Sequence, residues 1–419
     1  MSPGKRPAQA VTKSPKVERQ RTSRAGTPIA PVVSVVGLIA VAVVSVWVMS
    51  VFGAASAAGP GPTQRPGESG PIITAPPRVT PNPTIVITPP PEQRPTITGT
   101  ILFSRTGNIW AASGLDLTSV ATAGTDSSPA WSPDGSTIYA IQTTDKPNQD
   151  PPFDAAKYFL RVTNIVSMNA DGSNRKQVFK GQFSQNGGTW FTGVYQPDVS
   201  PDGNRFALVS DLGYVPVNGC ESCYQPIVLS TMSTDGTKLT NLKVRYDNDL
   251  GHNDPDWSPD GKEIAFTYNS RGGTDGAPRI GILTVSTGSL NLLRKGYANP
   301  SWSRDGTMIA AERTTSSGRD IVVLDPRSGS ELARLTNDGD SFRPEFSPNG
   351  DQIAFLHRKG LGVDLQIMTI SQSGGGITLL ETKPVTDDGS LDATSSPAWF
   401  IPADQITSPP AGPAASAAP

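Results

Sequence analysis

The segment WSPDGKEIAF, residues Trp257–Phe266, decides the fold because variants of it recur along the chain. Six copies align on one large apolar residue, and a proline stands two positions before it in every copy. Asp-Gly or Asn-Gly follows three and four positions after it in five of the six copies. The aligned residues are Trp131, Val199, Trp257, Trp302, Phe346 and Trp399. Since they lie 44 to 68 residues apart, an array of similar structural units is predicted.

Each copy encodes two strands joined by a tight turn. In Ser-Pro-Asp-Gly, proline presets the φ angle of the second turn residue and glycine accepts the left-handed conformation that follows. The alternating apolar runs on both sides are typical of strands. Third strands are predicted at Asn164–Met168, Ile227–Met232, Ile280–Val285, Ile321–Leu324 and Leu365–Ile370, and fourth strands at, for example, Lys238–Val244 and Glu331–Leu335. Four antiparallel strands at this period are the signature of a β-propeller blade.

The sequence also contains the strands needed to close a ring. The sixth copy, at Trp399, ends after one strand, while three further strands are predicted at the start of the domain. Those strands are Ile101–Ser104, Asn108–Ala112 and Leu117–Ala121. Pairing both ends of the domain in one blade would leave no end blade unpaired. The predicted fold class is therefore all-β: a six-bladed propeller of four-stranded antiparallel blades over residues 100–404.

The repeats resemble those of a known family. Units of the form W-S-P-D-G-x-x-I-A-F look like the repeats of TolB-type six-bladed propellers, a WD40-like or PD40 family, and are similar to the propeller halves of prolyl oligopeptidase relatives. The resemblance covers about residues 100–404 and implies the propeller fold, but such propellers serve many roles. The resemblance to TolB itself implies a soluble periplasmic protein with an additional domain before the propeller. Residues 1–99 of this chain are instead predicted to contain only a tail, a membrane anchor and a stalk.

A membrane anchor is predicted before the propeller. Residues 1–28 carry seven basic residues and one acid, which indicates a disordered tail. Within residues 29–52 the apolar run Val32–Phe52 has 21 residues, enough for a transmembrane helix of about 31 Å. The basic flank places the N-terminus in the cytoplasm and the propeller outside the cell membrane. The alternative is a cleaved signal peptide, because Ala55–Ala57 has the form of a cleavage site.

Two further segments flank the propeller. Residues 53–99 are predicted to be a stalk, since Gly59–Pro95 contains twelve prolines and such composition favours extended polyproline II. Residues 405–419, rich in Ala, Pro and Ser, are predicted to be a disordered tail. The propeller itself is expected to be monomeric.

Composition excludes several function classes. Two His and two Cys rule out a three-His zinc site and a Cys-rich framework. The balance of 35 basic and 37 acidic residues does not suit nucleic-acid binding. The acids between residues 247 and 256 lack EF-hand spacing, so no metal and no cofactor is predicted. Cys220 and Cys223 lie on a long loop outside the cytoplasm, where a local disulfide is expected.

The first candidate binding site lies on the top face, the face where the first strand of each blade begins. Long loops on a rigid scaffold are where binding sites usually reside, and blades 1 and 2 have three of them, at 143–160, 181–195 and 211–226. Their aromatic residues suit stacking on a peptide or sugar. They are Phe153, Tyr158, Phe183, Trp190, Phe191, Tyr195, Tyr214 and Tyr224. The alternative is that these rings pack the loops onto the propeller.

The second candidate site is the mouth of the central channel. Polar residues just before the repeat prolines are expected to converge there, either to bind a ligand or to hydrate a funnel. They are Asp126, Ser128, Gln196, His252, Asp254, Asn299, Arg343 and Ser396. His252 is the only imidazole expected near the channel.

The predicted function is a membrane-tethered, non-catalytic scaffold whose top face binds an extracytoplasmic protein, peptide or glycan. A serine hydrolase is excluded, since the chain has neither a G-x-S-x-G elbow nor an α/β domain. The alternative is a hydrolase or lyase with a channel-centred, possibly metal-dependent site. A third interpretation is a sensor whose basic tail meets a partner or anionic lipid.

Overall fold

A computed structural model describes a large part of the chain, including most of the repeats. The described residues are 94–147, 159–185, 188–211, 227–242, 244, 249–270, 277–373 and 376–407. The predicted tail 1–28, membrane helix 29–52, most of the stalk 53–99 and most of the tail 405–419 lie outside them. Within the described part, no helix is long and apolar enough to cross a bilayer.

Nearly all of the regular secondary structure in the described residues is β-strand. The first are β1 (Ile97–Arg105), β2 (Asn108–Gly114), β3 (Asp116–Ala121), β4 (Asp126–Trp131), β5 (Thr137–Pro147), β6 (Phe159–Asn169), β7 (Lys176–Phe179), β8 (Gln182–Gln185) and β9 (Gly188–Phe191). There follow β10 (Val194–Val199), β11 (Arg205–Ser210), β12 (Val228–Ser233), β13 (Thr240–Asn241), β14 (Asp249–Trp257), β15 (Glu263–Ser270), β16 (Arg279–Thr284) and β17 (Ser289–Lys295). The last are β18 (Tyr297–Trp302), β19 (Ile309–Thr315), β20 (Gly318–Leu324), β21 (Glu331–Arg334), β22 (Ser341–Phe346), β23 (Gln352–Lys359), β24 (Gly362–Ser373), β25 (Gly376–Pro384), β26 (Ala398–Phe400) and a 3-10 helix (Ala403–Gln405).

Six four-stranded antiparallel sheets form the blades. Blades 1 to 5 are β4–β7, β10–β13, β14–β17, β18–β21 and β22–β25. Blade 6 has the order β26-β1-β2-β3, with Ile101 paired to Trp399. The predicted six-bladed fold and its closure by N-terminal strands are therefore confirmed. The fourth strand of blade 2 is shorter than predicted, because only Thr240–Asn241 pairs with β12.

One element was not predicted. Strands β8 and β9 form a separate two-stranded sheet within the segment 181–195, which sequence analysis treated as a loop. Gln185 pairs with Gly188, so only Asn186 and Gly187 connect the strands. Asn-Gly is the preferred two-residue hairpin turn, and this signal was present in the sequence.

The turns between the first two strands are held by the same hydrogen bonds in blades 1 to 4. In blade 3, the Gly261 N–H donates to the Ser258 carbonyl at 2.8 Å, and the Ser258 hydroxyl donates to Asp260 at 2.8 Å. Hydrogen bonds from Lys262 and Ser258 lower the pKa of Asp260 to about 2. The turn aspartates thus have a structural role, as their uniform placement indicates.

The aligned apolar residue of every repeat packs at the interface with the preceding blade. Trp302 of blade 4, for example, shares an apolar cluster with Ile280 and Ile282 of blade 3. The same arrangement recurs at Trp131, Val199, Trp257, Phe346 and Trp399. Since apolar burial is the main favourable term in folding, these six contacts hold neighbouring blades together.

Replacing Trp399 by alanine is expected to lower the free energy of unfolding by about 3–5 kcal/mol, because a cavity would open at the seam that closes the ring. Trp399→Phe keeps most of the packing but removes the indole N–H that donates to the Thr98 carbonyl at 2.9 Å, so it should cost about 1–2 kcal/mol. Urea denaturation followed by circular dichroism measures both effects. The control is Leu361→Ala, at a fully exposed turn residue, and a Trp399→Ala protein as stable as this control would contradict the prediction.

Candidate functional site

The residue before the repeat proline has an unusual backbone conformation in five blades. Its φ angle is positive, between 49° and 53°, although none of the five is glycine. They are Ser128, Gln196, Asp254, Asn299 and Arg343. The pairing register of the first two strands shifts at this point in all five blades, so each first strand has a bulge. Such conformations cost about 1–3 kcal/mol and cluster at functional sites.

Arg343 spans the channel near its top end. Its Nη1 donates to Asp254 at 2.7 Å and to the Ser396 hydroxyl at 2.9 Å. Asp254 also accepts the Gln196 side-chain amide at 2.6 Å. Blades 3 and 5, which supply Asp254 and Arg343, are not neighbours, so this contact crosses the axis. We call these four residues the crossbar. Burial lowers the pKa of Arg343, but Asp254 and Glu312 outweigh it and raise that pKa above its usual value.

Two other predicted channel residues are hydrogen-bonded within the protein. Asn299 donates its side-chain amide to Glu312 and its backbone N–H to the Thr267 hydroxyl at 2.8 Å. Ser128 donates its backbone N–H to the Ser395 hydroxyl at 2.9 Å. Four of the predicted channel residues thus meet in the crossbar, while Asn299 and Ser128 bond to other protein groups.

His252 and Asp126 lie elsewhere than expected. His252 is 1% exposed, its Nδ1 accepts the Leu229 N–H at 2.9 Å, and its ring packs against Phe266 and Tyr268. It precedes the bulge and so faces the core between blades 2 and 3, where burial lowers its pKa to about 4. Asp126 is fully buried and forms a bidentate ion pair with Arg175, in which both hydrogen bonds are 2.7 Å long.

The aromatic residues of the top loops stay a prediction for the most part. Phe191 and Tyr195 are half-buried, and Phe183 is 40% exposed on β8. Outside the described residues or side chains lie Phe153, Tyr158, Trp190, Tyr214, Tyr224, Cys220 and Cys223. The expected disulfide and the stacking surface are thus untested.

A cavity of about 820 Å³ lies along the axis. It extends from the bulged residues down the first strands to the Ser-Pro-Asp-Gly turns, which lie on the bottom face. All six repeat prolines line it, together with Trp131, Trp302, Phe346, Trp399 and Phe400. This volume is within the range of small-molecule and peptide side-chain pockets, which are mainly apolar with a few placed polar groups.

Three carboxyl groups line the cavity wall. Each follows a repeat proline and accepts a hydrogen bond from an adjacent blade. Asp198 accepts the Trp257 N–H at 2.7 Å, and Asp256 accepts the Trp302 N–H at 2.6 Å. Glu345 accepts the Ser301 hydroxyl of the preceding blade at 3.1 Å. We call Asp198, Asp256 and Glu345 the carboxyl trio.

The carboxyl trio resists ionisation. Burial raises the pKa of Asp198 to about 7. Burial and the neighbouring Asp198 raise the pKa of Glu345 to about 8. The pKa of Asp256 is raised well above its usual value by burial and by both other carboxyls. At pH 7 Glu345 is therefore mostly protonated, and Asp198 is about half ionised. Among the described residues, no group of three His, Cys, Asp or Glu is arranged to hold a metal ion.

Sequence analysis missed the carboxyl trio as a group. It singled out the residue before each repeat proline, whereas the trio follows the proline directly. The available signal was that three repeats have an acid at this position, while the others have Ala130, Ser301 and Ala398.

The comparisons with known proteins agree with this architecture. The family model of the TolB beta propeller domain, PD40, matches residues 191–399. The chain carries a TolB-type propeller. The crystal structure of TolB from Acinetobacter baumannii is similar, with 22% sequence identity and a TM-score of 0.50, over 73% of this chain and 67% of that one.

Two further solved structures resemble the TolB-type propeller more distantly. Putative TolB from Agrobacterium tumefaciens has 16% identity and a TM-score of 0.47, over 74% of this chain and 96% of that one. An oligogalacturonate lyase from Vibrio parahaemolyticus has 13% identity and a TM-score of 0.42, over 64% and 73%. At these identities the likeness concerns the fold alone. No curated protein sequence matches the chain.

Through Asp198 and Glu345, the stability of the TolB-type propeller is expected to fall by about 2 kcal/mol as the pH rises from 7 to 9. Asp198 and Glu345 titrate near pH 7 and 8 in the folded protein, but near pH 4 when unfolded. The folded protein therefore binds more protons in this window, and the stability that they contribute is lost as pH rises through the folded pKa values. Urea denaturation at pH 7, 8 and 9 measures the slope.

Asp256→Asn provides the matched test of this pH dependence. Its amide oxygen can still accept the Trp302 N–H, but it adds no charge, so the variant should lose less stability between pH 7 and 9 than the parent. The control is Asp260→Asn, an exposed turn aspartate whose pKa of about 2 lies outside the window, and it should keep the parent slope. Equal slopes in all three proteins would rule out the trio as the cause.

Proposed function

We propose that this TolB-type propeller is a non-catalytic scaffold that binds an extended segment of a partner protein in the axial cavity, from the bottom face. The observation that carries the proposal is the cavity itself, with about 820 Å³ enclosed by prolines and aromatic rings. Rigid apolar walls with few polar groups are typical of binding sites, and aromatic-lined grooves recognise extended proline-rich peptides in other proteins.

The polar groups of the wall fit a ligand with hydrogen-bond acceptors. The indole N–H of Trp131, a cavity residue, is buried and has no acceptor among the described residues. A buried donor without a partner costs about 1–3 kcal/mol, and a backbone carbonyl of a bound peptide would satisfy it. The protonated members of the carboxyl trio would add further donors at neutral pH.

The crossbar favours access from the bottom over access from the top. Its central ion pair is about nine-tenths buried, with side-chain exposures of 11% for Arg343 and 10% for Asp254. A segment entering from the turn side would therefore meet the crossbar as the end of the site. The top-face loops remain a second candidate surface, as predicted from their aromatic residues.

A non-catalytic role is favoured over a channel-centred hydrolase or lyase. Carboxyl groups with raised pKa values are typical of general acids. Here, however, Asp198 and Asp256 each hold a backbone N–H of the next blade, a role that ties them to the fold. Turnover of a glycan or lactone by the protein, lost in Asp256→Asn, would overturn the scaffold proposal.

The proposed location follows from the sequence. The predicted helix at 29–52 would hold the protein in the cell membrane, with the propeller outside. Strand β1 is antiparallel to β26, which runs from top to bottom, so Ile97 lies at the bottom face. The first residue of β1 thus lies on the same face as the proposed opening of the binding cavity.

Binding is tested with the full-length protein and peptides selected from a random peptide display library. Ala398→Phe, which fills part of the cavity wall, should weaken the selected peptides at least 10-fold, as measured by fluorescence anisotropy. Trp131→Phe removes only the indole N–H and should weaken them about 3-fold, in line with the loss of one hydrogen bond. Thermal unfolding confirms that both variants are folded.

Phe183→Ala is the matched control for this experiment, because Phe183 is an exposed aromatic residue on the top-face hairpin. The cavity proposal expects this variant to bind like the parent. If Phe183→Ala loses binding while the cavity variants retain it, the site lies on the top-face loops and the cavity assignment fails.

A further inference from the structure

Blade 4 departs from the repeat at one turn position. Arg304 stands where the other complete Asp-Gly or Asn-Gly repeats have Pro133, Pro201, Pro259 and Pro348. The turn itself is unchanged, since the Gly306 N–H donates to the Ser303 carbonyl at 2.9 Å and the Ser303 hydroxyl donates to Asp305 at 2.7 Å. The turn does not need an arginine, so the substitution calls for another explanation.

Arg304 lies at the edge of a groove between blades 3 and 4 on the bottom face. The groove has a volume of about 810 Å³ and is lined by the blade 3 turn at 258–260, by strands β16 and β17, and by the blade 4 turn at 304–306. Arg327, from the turn between the third and fourth strands of blade 4, also lines it. We call it the blade 3–4 groove.

Two guanidinium groups in the blade 3–4 groove make no side-chain hydrogen bond or ion pair with the part of the chain that the structure describes, although Arg327 lies near enough to Asp325 to help lower its pKa. Both Arg304 and Arg327 are exposed. The carboxylates of the groove are all engaged. Asp260 pairs with Lys262 at 2.8 Å, Glu263 accepts the Thr284 hydroxyl at 3.2 Å and Asp305 accepts the Ser303 hydroxyl at 2.7 Å. The groups in the groove that are left to bind a ligand are therefore the guanidinium groups of Arg304 and Arg327.

The groove is also lined by Trp302, whose buried indole N–H is a hydrogen-bond donor. Trp302 is only 8% exposed, and its indole N–H has no acceptor among the described residues. Buried polar groups without partners are rare in native proteins. Trp302 and Arg304 line both the blade 3–4 groove and the axial cavity, so one extended ligand can reach both.

We propose that the blade 3–4 groove binds a carboxylate side chain of an acidic peptide segment, with Arg304 and Arg327 as its counter-charges and the Trp302 N–H as a donor to a peptide oxygen. Guanidinium groups suit carboxylates because their fixed N–H donors match the two oxygens. The proposal rests on the proposed function. It specifies that the partner segment bound in the axial cavity continues into the blade 3–4 groove and is acidic there.

The test uses the full-length protein and fluorescein-labelled hexaglutamate, with hexaglutamine and hexalysine as peptide controls, at 50 mM salt. We expect hexaglutamate alone to bind, more weakly as salt is raised. Arg304→Pro restores the repeat sequence at this turn, so it should keep the parent thermal stability while weakening hexaglutamate at least 10-fold. Arg327→Gln should weaken it similarly, and Trp302→Phe about 3-fold.

Lys176→Gln is the matched charge control, since Lys176 is an exposed cation on blade 1 and lies outside the groove. Equal weakening by Lys176→Gln and Arg304→Pro would show diffuse charge attraction and overturn the proposal, as would failure of hexaglutamate to bind. Competition by inorganic phosphate as strong as that by acetylglutamate would also overturn it, in favour of a simple oxyanion site.

Failure of this proposal can be told apart from failure of the proposed function. Ala398→Phe fills the axial cavity and should leave hexaglutamate binding intact, while it weakens the library-selected peptides. If those peptides bind the cavity but hexaglutamate does not bind the groove, the scaffold proposal stands and the acidic partner is excluded.

Discussion

The packing of one large apolar residue from each repeat against the preceding blade is the contact on which the rest of the propeller depends. A four-stranded sheet cannot bury both of its faces alone, and stacking neighbouring repeats provides the missing surface. All six interfaces use this residue, including the seam where Trp399 joins blade 5 to the strands at the start of the domain. This interface differs from the other five only in connectivity, because blade 6 combines the last strand of the domain with its first three.

The same inner strands bring polar groups close to the axis. A repeat proline fixes each first strand beside the channel, and the residue before it takes a left-handed conformation in five blades. The side chains on either side of the proline then serve different purposes. Those before it form the crossbar, while acids after it receive backbone N–H groups from the next blade. The cavity below the crossbar is consequently apolar in much of its wall but contains acids whose pKa values are raised by burial.

The sequence predicted more of the fold than of the site. The Ser-Pro-Asp-Gly turn and its flanking alternation are local signals, and six copies made the blade count and the ring closure predictable. The β8–β9 hairpin was not predicted, although Asn-Gly stands between its two strands in the sequence. The site was harder, because His252 and Asp254 differ by two positions yet occupy different environments. A bulge between them turns one toward the core and the other toward the axis, and the sequence pattern did not reveal that bulge.

The sequence by itself determined the all-β class, the six repeats, the strand exchange that closes the ring and the departure from proline at Arg304. It could do so because turns and strand alternation depend on residues that are close in the chain. Only the tertiary structure decided that Arg343 crosses the channel to Asp254, that three acids from different blades share one cavity, and that Arg304 and Arg327 meet at one groove. The first two relations join residues from separate blades, and their distances are set by the geometry of the closed ring. The third brings together two different turns of blade 4.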